Sequence, residues 1–177
     1  MKLSRSTFLA LLVVTAGCSS VEIDHDFDVH ANFTQYKTFA WMPSSAPTTT
    51  TSISRPSGLL DSRIRNAVNT QMAAKGFTGD DANPDILANY YAGAKDVVQV
   101  NDLGYGYGYH GWAGGGVDVS TYTEGTLVVD LFDAQTKQLV WRAVAQGAVS
   151  PGASPEEQEA KVNSVVAQMF AAYPPTP

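Results

Sequence analysis

The stretch Tyr122-Thr-Glu-Gly-Thr-Leu-Val-Val-Asp-Leu-Phe-Asp-Ala-Gln-Thr-Lys-Gln-Leu-Val-Trp-Arg142 carries the strongest fold signal in the chain. From Leu127 the side chains alternate in the way that is typical of a strand with one buried face. The polar segment Asp133 to Lys137 predicts a turn, after which the chain returns as a second strand. Leu127 to Gly147 is therefore predicted to form a β-hairpin.

The two strands of this hairpin each have a face predicted to meet the core. The residues on that face are Leu127, Val129, Leu131, Leu139, Trp141, Ala143 and Ala145. If Asp133 lies opposite Lys137, Asp130 and Arg142 become diagonal neighbours on the other face. We expect a solvated salt bridge between them, contributing less than about 1 kcal/mol.

Strands and helices are also predicted on both sides of the hairpin. The predicted strands are Val21–Val29, Tyr36–Met42, Phe77–Thr78 and Ile86–Tyr91, with Val97–Val100 as a continuation. One helix is predicted from Leu59 to Lys75 and stopped by Gly76. Ser154 caps a second helix, with Pro155 in its first position and Glu157 completing a capping box.

Both predicted helices have one apolar stripe. The stripes consist of Leu60, Ile64, Ala67, Val68 and Met72 in the first helix, and of Val162, Val165, Val166, Met169 and Tyr173 in the second. A helix with one apolar stripe needs a sheet face on which to bury it. We therefore predict an α+β fold: a two-layer sandwich in which a largely antiparallel sheet carries two helices packed on one face.

The first residues have the pattern of an exported protein. Lys2 and Arg5 precede the short apolar stretch Phe8–Val14, which is typical of a signal peptide and too short to cross a bilayer. Thr15-Ala16-Gly17-Cys18 follows and resembles the bacterial lipobox, although Thr15 stands where Leu is usual. We predict a lipoprotein signal peptide at residues 1–17 and a lipidated tether at 18–20. Ser19, rather than Asp, after Cys18 favours the outer membrane.

Residues 21–177 are predicted to form a single periplasmic domain. Flexible loops are expected near 43–58, which is rich in Pro, Ser and Thr, and near 101–116, which is rich in Gly. The chain from Cys18 onward has 9 basic and 17 acidic residues, giving a formal charge of −8. This balance argues against a nucleic-acid partner, which would require a basic face. A single cysteine excludes a disulfide framework and a Cys-rich zinc site.

Three segments together resemble a family of bacterial lipoproteins known as domain of unknown function 4136. The hairpin segment Tyr122–Arg142 is the most specific of them. Asn32-Phe-Thr-Gln-Tyr-Lys-Thr-Phe-Ala-Trp41 resembles the family's N-terminal motif, and Phe170-Ala-Ala-Tyr-Pro-Pro175 resembles its C-terminal motif. The resemblance implies an α+β domain on a lipidated tether in the bacterial envelope. It implies no activity, and Cys18 is the only functional residue that carries over.

A candidate ligand site lies in Gly104–Gly116. Its aromatic residues, Tyr105, Tyr107, Tyr109 and Trp112, have ring faces suited to stacking on sugars or to a membrane interface. The alternative is that the segment is only a flexible loop that joins two strands, which explains the same composition. Ordering so many glycines costs backbone entropy, so tight binding would need extensive contacts.

Other chemically active groups have simpler explanations. The acidic row Glu22, Asp24, Asp26 and Asp28 is too widely spaced on a straight strand to surround one calcium ion, and on a solvent face or an edge strand it discourages aggregation. His25 and His30 fall on opposite faces of that strand. His110 has no partner evident from the sequence. We expect no metal or cofactor site and no catalytic residue, since no hydrolase, protease or nucleotide motif is present.

Two functions of different classes remain open at this point. The first is a non-catalytic envelope lipoprotein, a periplasm-facing interaction or structural module on the outer membrane. The second is a ligand-binding module in which the Gly/Tyr-rich segment binds a glycan or another envelope molecule. An envelope hydrolase with unrecognised residues is a weaker third interpretation.

Overall fold

A computed structural model describes residues 21–43, 53–54, 58–101, 118–150 and 152–175. The strands are β1 (Glu22–Phe27), β2 (Thr38–Trp41), β3 (Ile53–Ser54), β4 (Thr78–Gly79), β5 (Ile86–Asn101), β6 (Asp118–Asp133) and β7 (Leu139–Val149). The helices are α1 (Leu59–Ala74) and α2 (Pro155–Met169), with short 3-10 turns at Phe33–Gln35 and Phe170–Ala172. Residues 1–20, with the predicted signal peptide and tether, lie outside the described residues.

The described strands form one mixed sheet in the order β1-β7-β6-β5-β2-β4, and β3 pairs with β5 beyond β2. Pairing is antiparallel from β1 through β5 and parallel where β2 meets β4 and β5. Both helices contribute to one core together with one face of this sheet. The predicted α+β fold, a largely antiparallel sheet with two helices on one face, is confirmed.

The capping signals explain where α2 begins. The Ser154 side chain accepts a hydrogen bond from the Glu157 amide, and the Glu157 carboxylate accepts one from the Ser154 amide. Val166 and Met169 on its apolar stripe are fully buried. In α1, the buried stripe runs from Ile64 to Met72.

Leu60 was predicted to be part of the α1 stripe, but 39% of its surface is exposed because the first turn of α1 precedes the helix's contact with the core. Val29 was predicted to lie on the buried face of the first strand. It is 75% exposed because β1 ends at Phe27 and Val29 lies in the turn that follows.

An aromatic cluster fills the core where the segments Phe33–Tyr36 and Phe170–Tyr173 pack beside β7. Trp141 lies 5.1 Å from Phe170 and 5.3 Å from Tyr173 between ring centroids. Phe33 lies 5.9 Å from Tyr173 and 6.1 Å from Tyr36. These residues come from the three segments on which the family resemblance rests. The motifs are therefore explained by one packing site.

A β-bulge changes the predicted facing at the start of β7. Leu131 pairs with Trp141 and Phe132 with Leu139, so Val140 is the extra residue. Val140 is buried, whereas Leu139 is 37% exposed. The prediction that Leu139 faces the core is therefore wrong, while the predicted facing of Trp141, Ala143 and Ala145 is confirmed.

β5 and β6 are each sixteen residues long and pair along their whole length, from Ile86–Asp133 to Asn101–Asp118. The predicted continuation at Val97–Val100 is confirmed, while the first part of β6 had not been predicted. β7 pairs with β6 only as far as Thr123. Beyond that residue β5 and β6 continue as a two-stranded ribbon formed by Val97–Asn101 and Asp118–Tyr122, which we call the arm.

The predicted loop near 43–58 contains a short strand. Ile53 and Ser54 of β3 pair with Gly93 and Ala92 of β5. Residues 44–52, 55–57 and 102–117, which include the rest of both predicted loops, lie outside the described residues.

Two carboxylates accept hydrogen bonds at the end of the sheet opposite the arm. Asp85 accepts hydrogen bonds from the amides of Lys37 and Thr38 at 2.8 and 3.0 Å, and these bonds lower its pKa. Asp133 accepts from the Thr136 amide at 2.8 Å and from the Tyr36 hydroxyl at 3.0 Å, and its pKa is also lowered. Both carboxyl groups have a lower pKa in the folded protein than in the unfolded chain. Their hydrogen bonds therefore stabilise the fold fully at a pH above the pKa of the unfolded chain. That stabilisation is lost as the pH falls through the pKa of the folded protein.

We predict that Trp141→Ala lowers the free energy of unfolding by about 3–5 kcal/mol, since it removes a fully buried aromatic side chain from a packed core. Leu139→Ala, two residues away on the same strand but partly exposed, should cost less than about 1 kcal/mol. Urea denaturation of both variants provides the measurement. Equal losses would contradict the bulge and the assigned facing.

Candidate functional site

All the site residues predicted from the sequence lie outside the described residues. They are Cys18, Tyr105, Tyr107, Tyr109 and Trp112. The structure nevertheless fixes the ends of the Gly/Tyr-rich segment, because Asn101 and Asp118 pair as the last residues of the arm. Residues 102–117 therefore connect the two strands at the end of the arm. Cys18 precedes the first described residue, Val21, by three positions.

The sheet face opposite the helices, which we call the open face, carries a row of polar residues. Asp26, Arg142, Asp130 and Asn89 are register neighbours on β1, β7, β6 and β5. Partly buried apolar residues flank this row: Leu87 and Phe132 on one side, and Val128 and Val144 on the other. These flanking side chains limit the access of water to the middle of the row.

Asp130 and Arg142 form the centre of the row. The guanidinium donates two hydrogen bonds, from Nε to Oδ1 and from Nη2 to Oδ2, both 2.7 Å long. The Asp130 side chain is 1% exposed, whereas the Arg142 side chain is 45% exposed. The bonds to Asp130 raise the pKa of Arg142 above its ordinary value. The Arg142 side chain therefore covers the buried Asp130 carboxylate, while part of the Arg142 side chain remains exposed to solvent.

The predicted salt bridge exists, but two of its predicted properties are wrong. The residues are directly opposite rather than diagonal, because Asp133 lies opposite Gln138 instead of Lys137 and the bulge at Val140 shifts the register by one further residue. The pair is also largely desolvated at Asp130, so removing one partner costs more than the value expected for a solvated pair. Both carboxylate oxygens are occupied by Arg142, which makes this pair a brace between β6 and β7.

Asn89 and Tyr91 extend the polar row and were missed by the sequence analysis. The Asn89 amide donates to the Tyr91 hydroxyl at 2.8 Å, and Asn89 is 6% exposed. The signal was present in the sequence as a lone amide within the apolar run Ile86 to Tyr91. That Asn89 belongs to the polar row could be inferred only from the pairing of β5 with β6, which sequence periodicity does not reveal.

Of the acidic row and the histidines, Glu22, Asp24, His25 and Asp26 lie on β1, whereas Asp28 and His30 follow the end of the strand. The expectation that His25 and His30 share one strand is therefore wrong. β1 is an edge strand of the sheet, one of the two placements considered for the acidic row. His25 and His30 are exposed. In the described part of the chain, no three His, Cys, Asp or Glu side chains are grouped to hold a metal ion. His110 lies outside the described residues.

A shallow depression of about 470 Å³ lies where β1 begins and the arm leaves the sheet. Glu22, Tyr122, Glu124 and Gln146 contribute to its lining. Glu124 forms a 3.0 Å salt bridge with Lys95 across the β5–β6 ladder. The depression places polar groups and one aromatic ring beside the base of the arm.

The architecture defines the class of protein: a two-layer α+β domain with one covered sheet face and a projecting two-stranded arm. The chain belongs to the family described as a domain of unknown function (DUF4136), whose model matches residues 23–175. No protein of curated function matches the chain.

Solved structures give distant similarities. A PDZ domain protein from Parabacteroides distasonis is 14% identical with a TM-score of 0.56, covering 89% of this chain and 36% of the other. This chain thus spans about a third of that protein, and the likeness shows the fold alone. Two crystal forms of the PelC dodecamer from Paraburkholderia phytofirmans are 11% and 12% identical, with TM-scores of 0.43 and 0.46. Each covers 85% of this chain and 95% of the other.

We predict that Arg142→Leu lowers the free energy of unfolding by about 2–3 kcal/mol, because it leaves the Asp130 carboxylate buried without its partner. The double variant Asp130→Leu/Arg142→Leu removes both charges and should recover most of that loss. The measurement is a double-mutant cycle by urea denaturation that also includes Asp130→Leu. Additive losses across the cycle would show that the two side chains do not act as a pair.

Proposed function

We propose that the protein is a non-catalytic lipoprotein of the bacterial cell envelope. In this proposal acyl chains on Cys18 anchor it to the outer membrane, with the domain facing the periplasm. There it serves as an interaction or structural module for another envelope component. Its partners are the membrane and an envelope protein or glycan.

The position of Cys18 carries the proposal. It is the single cysteine of the chain and follows the short apolar segment Phe8–Val14, which Lys2 and Arg5 precede. The first strand begins at Glu22 and the family match at residue 23, so Cys18 lies four residues before β1 along the chain. Each acyl CH₂ buried in lipid contributes about 0.8 kcal/mol, and several chains together hold a protein stably. No helix of the described residues is long and apolar enough to cross a membrane.

We predict that Cys18→Ser abolishes incorporation of a clickable fatty acid and releases the protein from the membrane fraction. Ser19→Ala is the matched control and should retain both the label and the membrane fraction. Metabolic labelling with fractionation in the native bacterium provides the measurement. Equal labelling of the wild type and Cys18→Ser would contradict the proposal.

A second candidate is a ligand-binding module that uses Tyr105, Tyr107, Tyr109 and Trp112. The observation in its favour is that the segment bearing these residues joins Asn101 to Asp118, which pair at the end of the arm. Aromatic rings presented there would be able to stack on a glycan. The two candidates differ in the role of Trp112: Trp112→Ala weakens binding to isolated peptidoglycan or envelope polysaccharide only in the second candidate.

A further inference from the structure

We propose that Asp24 and Asp26 hold the outer edge of β1 closed, and that this edge pairs with the same edge of a second copy of the chain once both carboxylates are removed. The carboxylates close the edge by accepting hydrogen bonds from its main-chain amides, and their charge is secondary. This closure lies within the folded domain and does not depend on the acylation of Cys18.

β1 has a pairing partner on one side only. It is the first strand in the order of the sheet, and it pairs with β7. A strand edge of this kind presents unpaired N–H and C=O groups and is a template for another strand. No other described strand lies beside β1, so its outer edge is open to such pairing unless its own side chains prevent it.

Alternation along β1 defines which main-chain groups face outward. The Asp28 amide donates to the Val140 carbonyl at 2.9 Å, so the main chain of Asp28 faces β7. In an antiparallel pair, every second residue directs its N–H and C=O toward the neighbouring strand. The main-chain groups of Asp24 and Asp26 therefore also face β7. Those that face outward belong to Ile23, His25 and Phe27.

The side chains of Asp24 and Asp26 occupy two of these outward amides. The His25 amide donates to Asp24 Oδ1 at 2.8 Å, and the Phe27 amide donates to Asp26 Oδ1 at 2.9 Å. A hydrogen bond to a carboxylate is stronger than one between two main-chain groups. An incoming strand would have to exchange both bonds for weaker ones to its own carbonyl oxygens, and the carboxylates already occupy the positions of those acceptors.

The outward groups of β1 fit a second copy of the same strand. They lie symmetrically about His25, so two antiparallel copies would pair His25 with His25 and Ile23 with Phe27 of the other copy. The same register places Asp24 of each copy opposite Asp26 of the other, and like charges directly opposite each other are unfavourable. The edge is therefore closed by hydrogen bonds and by repulsion, and substitutions can separate the two effects.

The test places a thiol on the symmetry axis of this pairing. His25→Cys puts the two Cα atoms about 5.5 Å apart in the paired state, within the range of a disulfide. It is introduced into three forms of the full-length protein: the wild type, Asp24→Ala/Asp26→Ala and Asp24→Asn/Asp26→Asn. Asparagine removes the charge but keeps a side-chain oxygen that accepts the amide hydrogen bond.

All proteins are oxidised at the same concentration, and the disulfide-linked dimer is measured on non-reducing gels. Each form without His25→Cys reports any crosslink through Cys18. Circular dichroism shows whether each variant is folded. If the double alanine variant does not fold, Asp26→Ala is compared with Asp26→Asn in the same way.

We expect the alanine form to yield more dimer than the wild type by about tenfold, because two amides per copy are freed for pairing. The asparagine form should stay at the wild-type level. The wild type should also be unchanged in about 1 M salt, which screens charges beyond roughly 3 Å. Dimer formation by the asparagine form, or by the wild type in salt, at the level of the alanine form refutes closure by hydrogen bonding. A folded alanine form that yields no more dimer than the wild type refutes the pairing itself.

Discussion

The packing of Trp141 against Phe170 and Tyr173 is the contact on which the rest of the structure depends. It brings the C-terminal residues back onto β7, and Phe33 extends it to the N-terminal part of the chain. Ring packing rather than hydrogen bonding fixes this geometry. Among the described residues neither Trp141 Nε1 nor the Tyr173 hydroxyl has a hydrogen-bond partner, and burial raises the pKa of Tyr173. Two unpaired polar atoms are tolerated there because the rings bury a large apolar area.

The stabilising interactions are concentrated toward one end of the molecule. The aromatic cluster and the carboxylates Asp85 and Asp133 all lie where β5, β6 and β7 are covered by helices or by the N-terminal segment. The Asp130–Arg142 brace lies on the open face between this end and the arm. Beyond Thr123 the arm has only its own ladder.

Local patterns in the sequence predicted a large part of this architecture. Alternation placed Trp141 in the core, and the capping residues Ser154 and Glu157 defined the start of α2, because both signals are local. The bulge at Val140 could not be predicted, since it depends on how β6 and β7 pair over several residues. For the same reason the direct opposition of Asp130 and Arg142 was missed, and with it the burial of Asp130.

The candidate site was less predictable than the fold. Cys18 could be proposed as a lipidation site because the lipobox-like motif is local in the sequence. The polar row could not be proposed, because the position of Asn89 beside Asp130 follows from the pairing of two strands distant in the sequence. The direction of the arm relative to the start of β1 was also hidden, since it follows from sheet order rather than from any single segment.

The central claim is that stability is concentrated at the aromatic end and that the arm opens independently of it. Native-state hydrogen exchange along β5 and β6 tests this directly, because amides exchange according to the free energy of local opening. Amides of Ala88, Val129 and Leu131, which have a paired strand on each side and lie in the core beneath the helices, should exchange only on global unfolding. Those of Val98 and Thr121 should exchange faster by orders of magnitude. Uniform protection along both sixteen-residue strands would contradict the account.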